Sequence, residues 1–188
     1  MGGIGIWSMH FIGNRAIQLD NPNGQIGYSS GFTAISFFLP IVVLLVAFYL
    51  LALHPKAGGL FLAISGLLTG TAVCGMHYVG QLGIINYRCS YRTANVIGAG
   101  FIAVVASLIA LGIFFHLQET WTNNWWKRSL CGSILACAVS GMHWTATVGT
   151  SYQAKGTDHF QSKLMSRTHI VIVSTALVRI SPITSILH

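Results

Sequence analysis

The sequence predicts an all-α fold: a polytopic transmembrane helix bundle of four full spans plus a partial N-terminal helix, built from about three Met-His repeats. Three observations predict it. Hydrophobic residues make up 53% of the 188-residue chain and charged residues only 7%, against roughly 25% charged in a soluble domain. Uncharged runs long enough to cross a bilayer recur along the chain, at ~1.5 Å per helical residue across an ~30 Å hydrocarbon core. A Met-His pair appears three times inside apolar sequence, as Met9-His10, Met76-His77 and Met142-His143, with successive histidines 67 and 66 positions apart.

Taken in order, residues 1–17 are apolar, carry the first pair and are too short to span; they read as the back half of a helix. Residues 31–53 carry no charge and form the first full span. His54-Pro55-Lys56 opens a polar connection, and residues 60–85 form the second span with the second pair. Tyr87 to Arg92 makes a polar loop before a third span at 98–117. Glu119 to Arg128 carries Trp121, Trp125 and Trp126, side chains that favour the membrane interface. Residues 129–152 make the fourth span, with the third pair. Residues 1–152 therefore read as one membrane domain and 153–188 as a polar tail, whose apolar stretch is interrupted by Arg179 and Pro182. Gly66 and Gly70 form a small-xxx-small pattern that lets helices approach closely.

Successive spans alternate direction, so helices one repeat apart run parallel and the three pairs come to one level near one membrane face. Thioether and imidazole together suit soft or borderline ions, copper above all, and no Asp or Glu stands in the motifs to favour a hard cation. The metal-ligand candidates are Met9, His10, Met76, His77, Met142 and His143. Met and His also serve as ordinary packing residues, and it is the constant spacing that favours a site. Cys74, three residues before His77, is an additional soft candidate on the same helical face. Tyr28, Tyr87 and Tyr152 read as interfacial aromatics or as hydrogen-bonding neighbours of the ligands. Asn14 and Arg15 read as solvated loop residues, with binding of an anion as the alternative.

The net charge of +7 faces anionic lipid head groups more simply than nucleic acid, since no basic cluster with interleaved aromatics stands outside the apolar segments. The four cysteines lack a CxxC or compact framework, and no cleaved signal peptide is evident. Lys and Arg are balanced across the loops, so charge leaves the orientation open.

The stretches Ile6-Trp7-Ser8-Met9-His10-Phe11-Ile12-Gly13, Cys74-Gly75-Met76-His77-Tyr78-Val79-Gly80 and Ser140-Gly141-Met142-His143-Trp144-Thr145 closely resemble the MHYT domain, an integral-membrane sensor module of three such repeats. The first and third look most like fungal members. The resemblance covers roughly residues 1–152. It implies six or seven helices, motifs near the outer membrane face, and a copper site sensing oxygen, carbon monoxide or nitric oxide. Relative to that pattern, the chain is expected to be truncated before the first motif, and no output domain follows the third. Only the third motif has Thr, Thr145, at the fourth position.

The expectation is thus a multi-pass membrane sensor that is not an enzyme, with the plasma membrane favoured and its downstream partner unidentified. The alternatives are a haem-binding membrane redox protein, with two histidines as axial ligands, a copper-handling membrane protein, and a bundle in which the pairs only pack.

Overall fold

Apolar sequence without water partners must satisfy its backbone internally, and long helices do so. In the computed structural model, which describes residues 2–17, 19, 26–53, 59–117, 125–155, 164–165, 172–173 and 175–176, five helices carry most of the chain. They are α1 (Gly2–Asn14), α2 (Ser30–Leu53), α3 (Gly59–Leu82), α4 (Thr93–Leu117) and α5 (Trp125–Val148). The protein is an integral, multi-pass membrane protein. Among the described residues, α2, α3 and the Thr93–Phe114 part of α4 are long and apolar enough to cross a membrane. The fourth expected span, α5, matches α2 and α3 at 24 residues, with Trp-Trp-Lys-Arg in its first turn.

The helix boundaries differ from expectation at both ends: α4 begins at Thr93 rather than residue 98, and α5 at Trp125 rather than 129. α3 stops at Leu82 rather than residue 85, and α5 at Val148 rather than 152. Both expected extensions give way to extended chain. Tyr87–Tyr91 forms β2, where a polar loop was expected, and Thr150–Ala154 forms β3; the two pair antiparallel with Cys89 opposite Tyr152. Alternating Tyr and β-branched or small residues suit a strand better than a further helical turn. A second pair joins β1 (Tyr28–Ser29) to β4 (Leu164–Met165). The rest of the expected tail lies almost wholly outside the described residues, as do His54 and the loop tryptophan Trp121.

The chain forms two compact units, with boundaries falling inside α2 and α3. The first comprises residues 1–41, 75–92 and 150–188. Here Trp7 anchors α1: its indole N–H donates to Ser36 Oγ of α2 at 3.2 Å, and its ring packs on Phe11 and edge-on against Phe37. Backbone bonds from Ser29 to Gly83 (2.8 Å) and from Ile85 to Gly27 (3.0 Å) tie the segment before α2 to the end of α3. The Lys155 N–H donates to the Asn86 carbonyl at 3.0 Å, which extends the β2–β3 pair toward the same corner.

The second unit comprises residues 42–74 and 93–149. Gly66 and Gly70 of α3 face α4 so closely that a Cβ on Gly70 would lie 2.6 Å from Val104 Cα, and one on Gly66 would overlap the Leu108 side chain. The small-xxx-small pattern is therefore a helix-packing surface, as its spacing implied. α4 and α5 are joined where the Asn95 carboxamide donates to the Thr145 carbonyl at 3.0 Å. On α2, Ile35, Phe38, Val42, Leu45 and Tyr49 are all exposed. At alternating three- and four-residue steps they make one apolar stripe, as a lipid-facing surface requires.

Candidate metal centre

All three histidines lie close to the C-terminal ends of helices: His10 in α1, His77 in α3 and His143 in α5. All three are fully buried, as are Met76 and Met142, whereas Met9 is half-buried. Burial of an imidazole without a partner is costly, so the contacts of each ring carry information.

In the first unit His10 and His77 meet directly. Their Nδ1 atoms are 3.1 Å apart, and the rings stand nearly perpendicular with centroids 4.8 Å apart. Two bare lone pairs at that distance repel. Either one Nδ1 carries a proton and donates it to the other, or both lone pairs face a shared cation. Two nitrogens bound at about 2.0–2.1 Å in a tetrahedral shell would stand roughly 3.3 Å apart, close to the observed separation. The chemistry of the donor pair thus fits a borderline ion.

Two neighbours seat the His10 ring. Gly80 of α3 lies beneath it, where an added Cβ would come 2.5 Å from Nε2. A glycine is required here by close approach rather than by backbone conformation. Asn14, one turn after His10, places its carboxamide nitrogen 3.2 Å from His10 Nε2 and donates to the Tyr28 hydroxyl at 3.2 Å. Asn14 is 1% exposed. The expected solvated loop residue is instead part of the site, because α1 continues through Asn14 and turns its side chain inward.

Gln81 follows His77 at the same four-residue spacing. It is also 1% exposed, and its carboxamide donates to the Tyr152 hydroxyl of β3 at 3.0 Å. Tyr28 and Tyr152 thus accept hydrogen bonds from the carboxamides four positions after His10 and His77. Tyr87 is 5% exposed, so it too is a core residue rather than a belt aromatic. Burial pushes the Tyr152 phenol up to about 12 against the opposing effect of the Gln81 N–H, with Cys89 adding to the rise. Burial likewise raises Tyr91 and the Cys89 thiol.

In the second unit His143 follows the fully buried Met142 and lies edge-on to Trp144, with centroids 5.7 Å apart. Thr145 has its hydroxyl committed to the Gly141 carbonyl at 2.8 Å, a backbone role that separates this threonine from the imidazole chemistry. Thr147, four residues after His143, is 8% exposed. Cys74, Cys89 and Cys137 are free thiols, and Cys74 is half-buried.

The repeat is therefore longer than the Met-His pair. Each copy reads Met-His-aromatic-x-small-polar, ending in Gly13-Asn14, Gly80-Gln81 and Ala146-Thr147. The last two positions show in the sequence once the three copies are aligned beyond their ligand atoms.

Residues 3–64 and 70–124, more than half of the chain, match the family described as "MHYT: Bacterial signalling protein N terminal repeat". The chain belongs to the MHYT family. The two matches contain the first and second Met-His pairs, and the third pair lies beyond them. The MHYT chain is also similar to two curated bacterial proteins. One is the bifunctional diguanylate cyclase/cyclic di-GMP phosphodiesterase MucR of Pseudomonas aeruginosa, 28% identical over 98% of this chain and 27% of MucR. The other is the signaling protein YkoW of Bacillus subtilis, 27% identical over 80% of this chain and 18% of YkoW. The chain thus spans about a quarter or less of the length of these relatives. No solved structure matches.

Proposed function

We propose that this MHYT chain is the sensing part of a membrane signalling protein. In this reading His10, His77 and His143 are copper ligands, with Met9, Met76 and Met142 supplying thioethers. The observation that carries it is the pair of fully buried imidazoles, His10 and His77, whose Nδ1 atoms lie 3.1 Å apart. His143 joins them as the same position of the third repeat, equally buried and equally preceded by methionine. The donor set supports copper, since thioether and imidazole in a buried site without carboxylates suit Cu(I). Copper bound there would supply an open coordination position for a diatomic gas, oxygen, carbon monoxide or nitric oxide. The chain's own residues do the rest. Gly80 leaves room for the His10 ring, the helices hold the nitrogens in a dry interior, and a change at the imidazoles alters the packing of α1 on α3.

The 3.1 Å approach of His10 to His77 leaves no space for a macrocycle between those two rings, which disfavours haem held by that pair. MucR is named for cyclic di-GMP synthesis and breakdown. By analogy this chain reads a signal that a separate catalytic region acts upon, and is not itself the enzyme.

Elemental analysis with an absorption spectrum, on detergent-purified chain loaded with copper, tests the reading. The expected result is near-stoichiometric copper, no haem band, and loss of copper in His77→Ala and His143→Ala. Stoichiometric copper retained by both variants overturns the ligand assignment.

A further inference from the structure

A ligating imidazole uses one nitrogen for the metal and turns an N–H the other way; buried, that N–H needs an oxygen to accept it. In this chain every Met-His pair is followed, four residues after its histidine, by a buried polar side chain: Asn14, Gln81 and Thr147. Residues four apart share one helix face, and the later side chain leans back toward the earlier. At the first repeat the contact is direct, with the Asn14 carboxamide 3.2 Å from His10 Nε2. That contact is made by the carboxamide nitrogen; at the other two repeats the side-chain oxygens are not in hydrogen-bond contact with the histidine, and have no hydrogen-bond partner among the described residues. Gln81 Oε1 and Thr147 Oγ1 are both buried in that condition. The Gln81 carboxamide nitrogen is already committed to Tyr152, so its orientation leaves the oxygen for another donor.

We infer that Asn14, Gln81 and Thr147 are positioning residues for His10, His77 and His143, each accepting through a side-chain oxygen the N–H that its imidazole turns away from the centre. The inference rests on the histidine assignment proposed above and extends it to residues that touch no metal. It also gives Asn14 two states. As described, its N–H donates to His10 Nε2, which leaves the His10 proton on Nδ1, facing Nδ1 of His77. A half-turn of the carboxamide brings Oδ1 to the same place. Nε2 then carries the proton and donates it, and the Nδ1 lone pair becomes available to an ion. The carboxamide of Asn14 thereby selects which nitrogen of His10 can act as a ligand.

Thr147→Val is the sharpest test, since it removes the hydroxyl and keeps the shape, while Thr147→Ser restores the oxygen. Asn14→Leu and Asn14→Asp form the matching pair at the first repeat. Two readouts are made on the full chain in detergent. Without metal, imidazole 15N shifts should show a single tautomer for His143 in the wild type and Thr147→Ser, and a mixture in Thr147→Val. With copper(I) delivered against a chromogenic chelator, Thr147→Val and Asn14→Leu should bind about 10–100-fold more weakly, with affinity regained in Thr147→Ser and Asn14→Asp. Unchanged tautomers and unchanged affinity in Thr147→Val and Asn14→Leu overturn the inference. A wild type that takes no copper, but whose tautomers still respond to these substitutions, sinks the metal reading and keeps this one.

Discussion

The Nδ1 atoms of His10 and His77, 67 positions apart in sequence, lie 3.1 Å from each other in a fully buried contact between α1 and α3. Two titratable nitrogens held so close in a dry interior have consequences that can be measured.

Replacing His77 by Ala removes the partner of His10 Nδ1 and leaves a buried polar atom facing a void. A loss of about 1–3 kcal/mol is expected from the unmet hydrogen bond. Denaturant-driven unfolding in detergent, read by circular dichroism, measures it. A variant as stable as the wild type would mean that the two rings do not depend on each other.

Gly80→Ala puts a methyl group where His10 Nε2 now sits, since the added carbon would lie 2.5 Å from that nitrogen. The ring must move, at an overpacking cost of about 1–3 kcal/mol. Copper affinity should fall while helix content is kept. Equal copper binding by Gly80→Ala would show that the His10 ring position is not critical to the site.

On the α3–α4 surface, Gly70→Ala drives a Cβ to within 2.6 Å of Val104 Cα, whereas a Cβ on Gly100 meets nothing within 4 Å. The first should destabilise by about 1–3 kcal/mol. The second should be neutral or stabilise by about 0.5–1 kcal/mol, the usual gain of Ala over Gly in a helix. Unfolding of the two variants side by side checks the contrast; equal stabilities would deny the close helix approach.

Tyr152 gives a pH signature outside the helices. Its phenol rises from 10.0 to about 12 on folding. Below pH 10 folded and unfolded chains hold the same proton, and stability is unaffected by this group. Between about 10 and 12 the unfolded chain releases it first, so stability falls as pH rises through that window. The difference in phenolate absorbance between wild type and Tyr152→Phe should titrate near 12; a difference centred near 10 would contradict the burial.

Much of this was legible in the sequence. The uncharged runs specified helices because hydrocarbon offers the backbone no other partner. The spacing of Met9-His10, Met76-His77 and Met142-His143 singled out the histidines, and Gly66 and Gly70 marked a packing surface. Period and composition act through neighbours a few residues apart, and a sequence displays those directly. Less legible were the residues whose role depends on distant partners. Asn14 reads as a loop residue until Tyr28 and His10 stand around it. Gln81 is unremarkable without Tyr152, and Gly80 without the His10 ring.

By itself, then, the sequence determined the membrane helices, the threefold repeat and the identity of the candidate ligands, since hydrophobicity and covalent spacing decide those locally. Only the tertiary structure decided that α3 and α5 end early in a β2–β3 pair, that His10 and His77 face each other through Nδ1, and that Gly80 and the Asn14 carboxamide seat the His10 ring. Those features arise where side chains more than a dozen residues apart compete for the same buried space, a competition that packing density and hydrogen-bond satisfaction resolve.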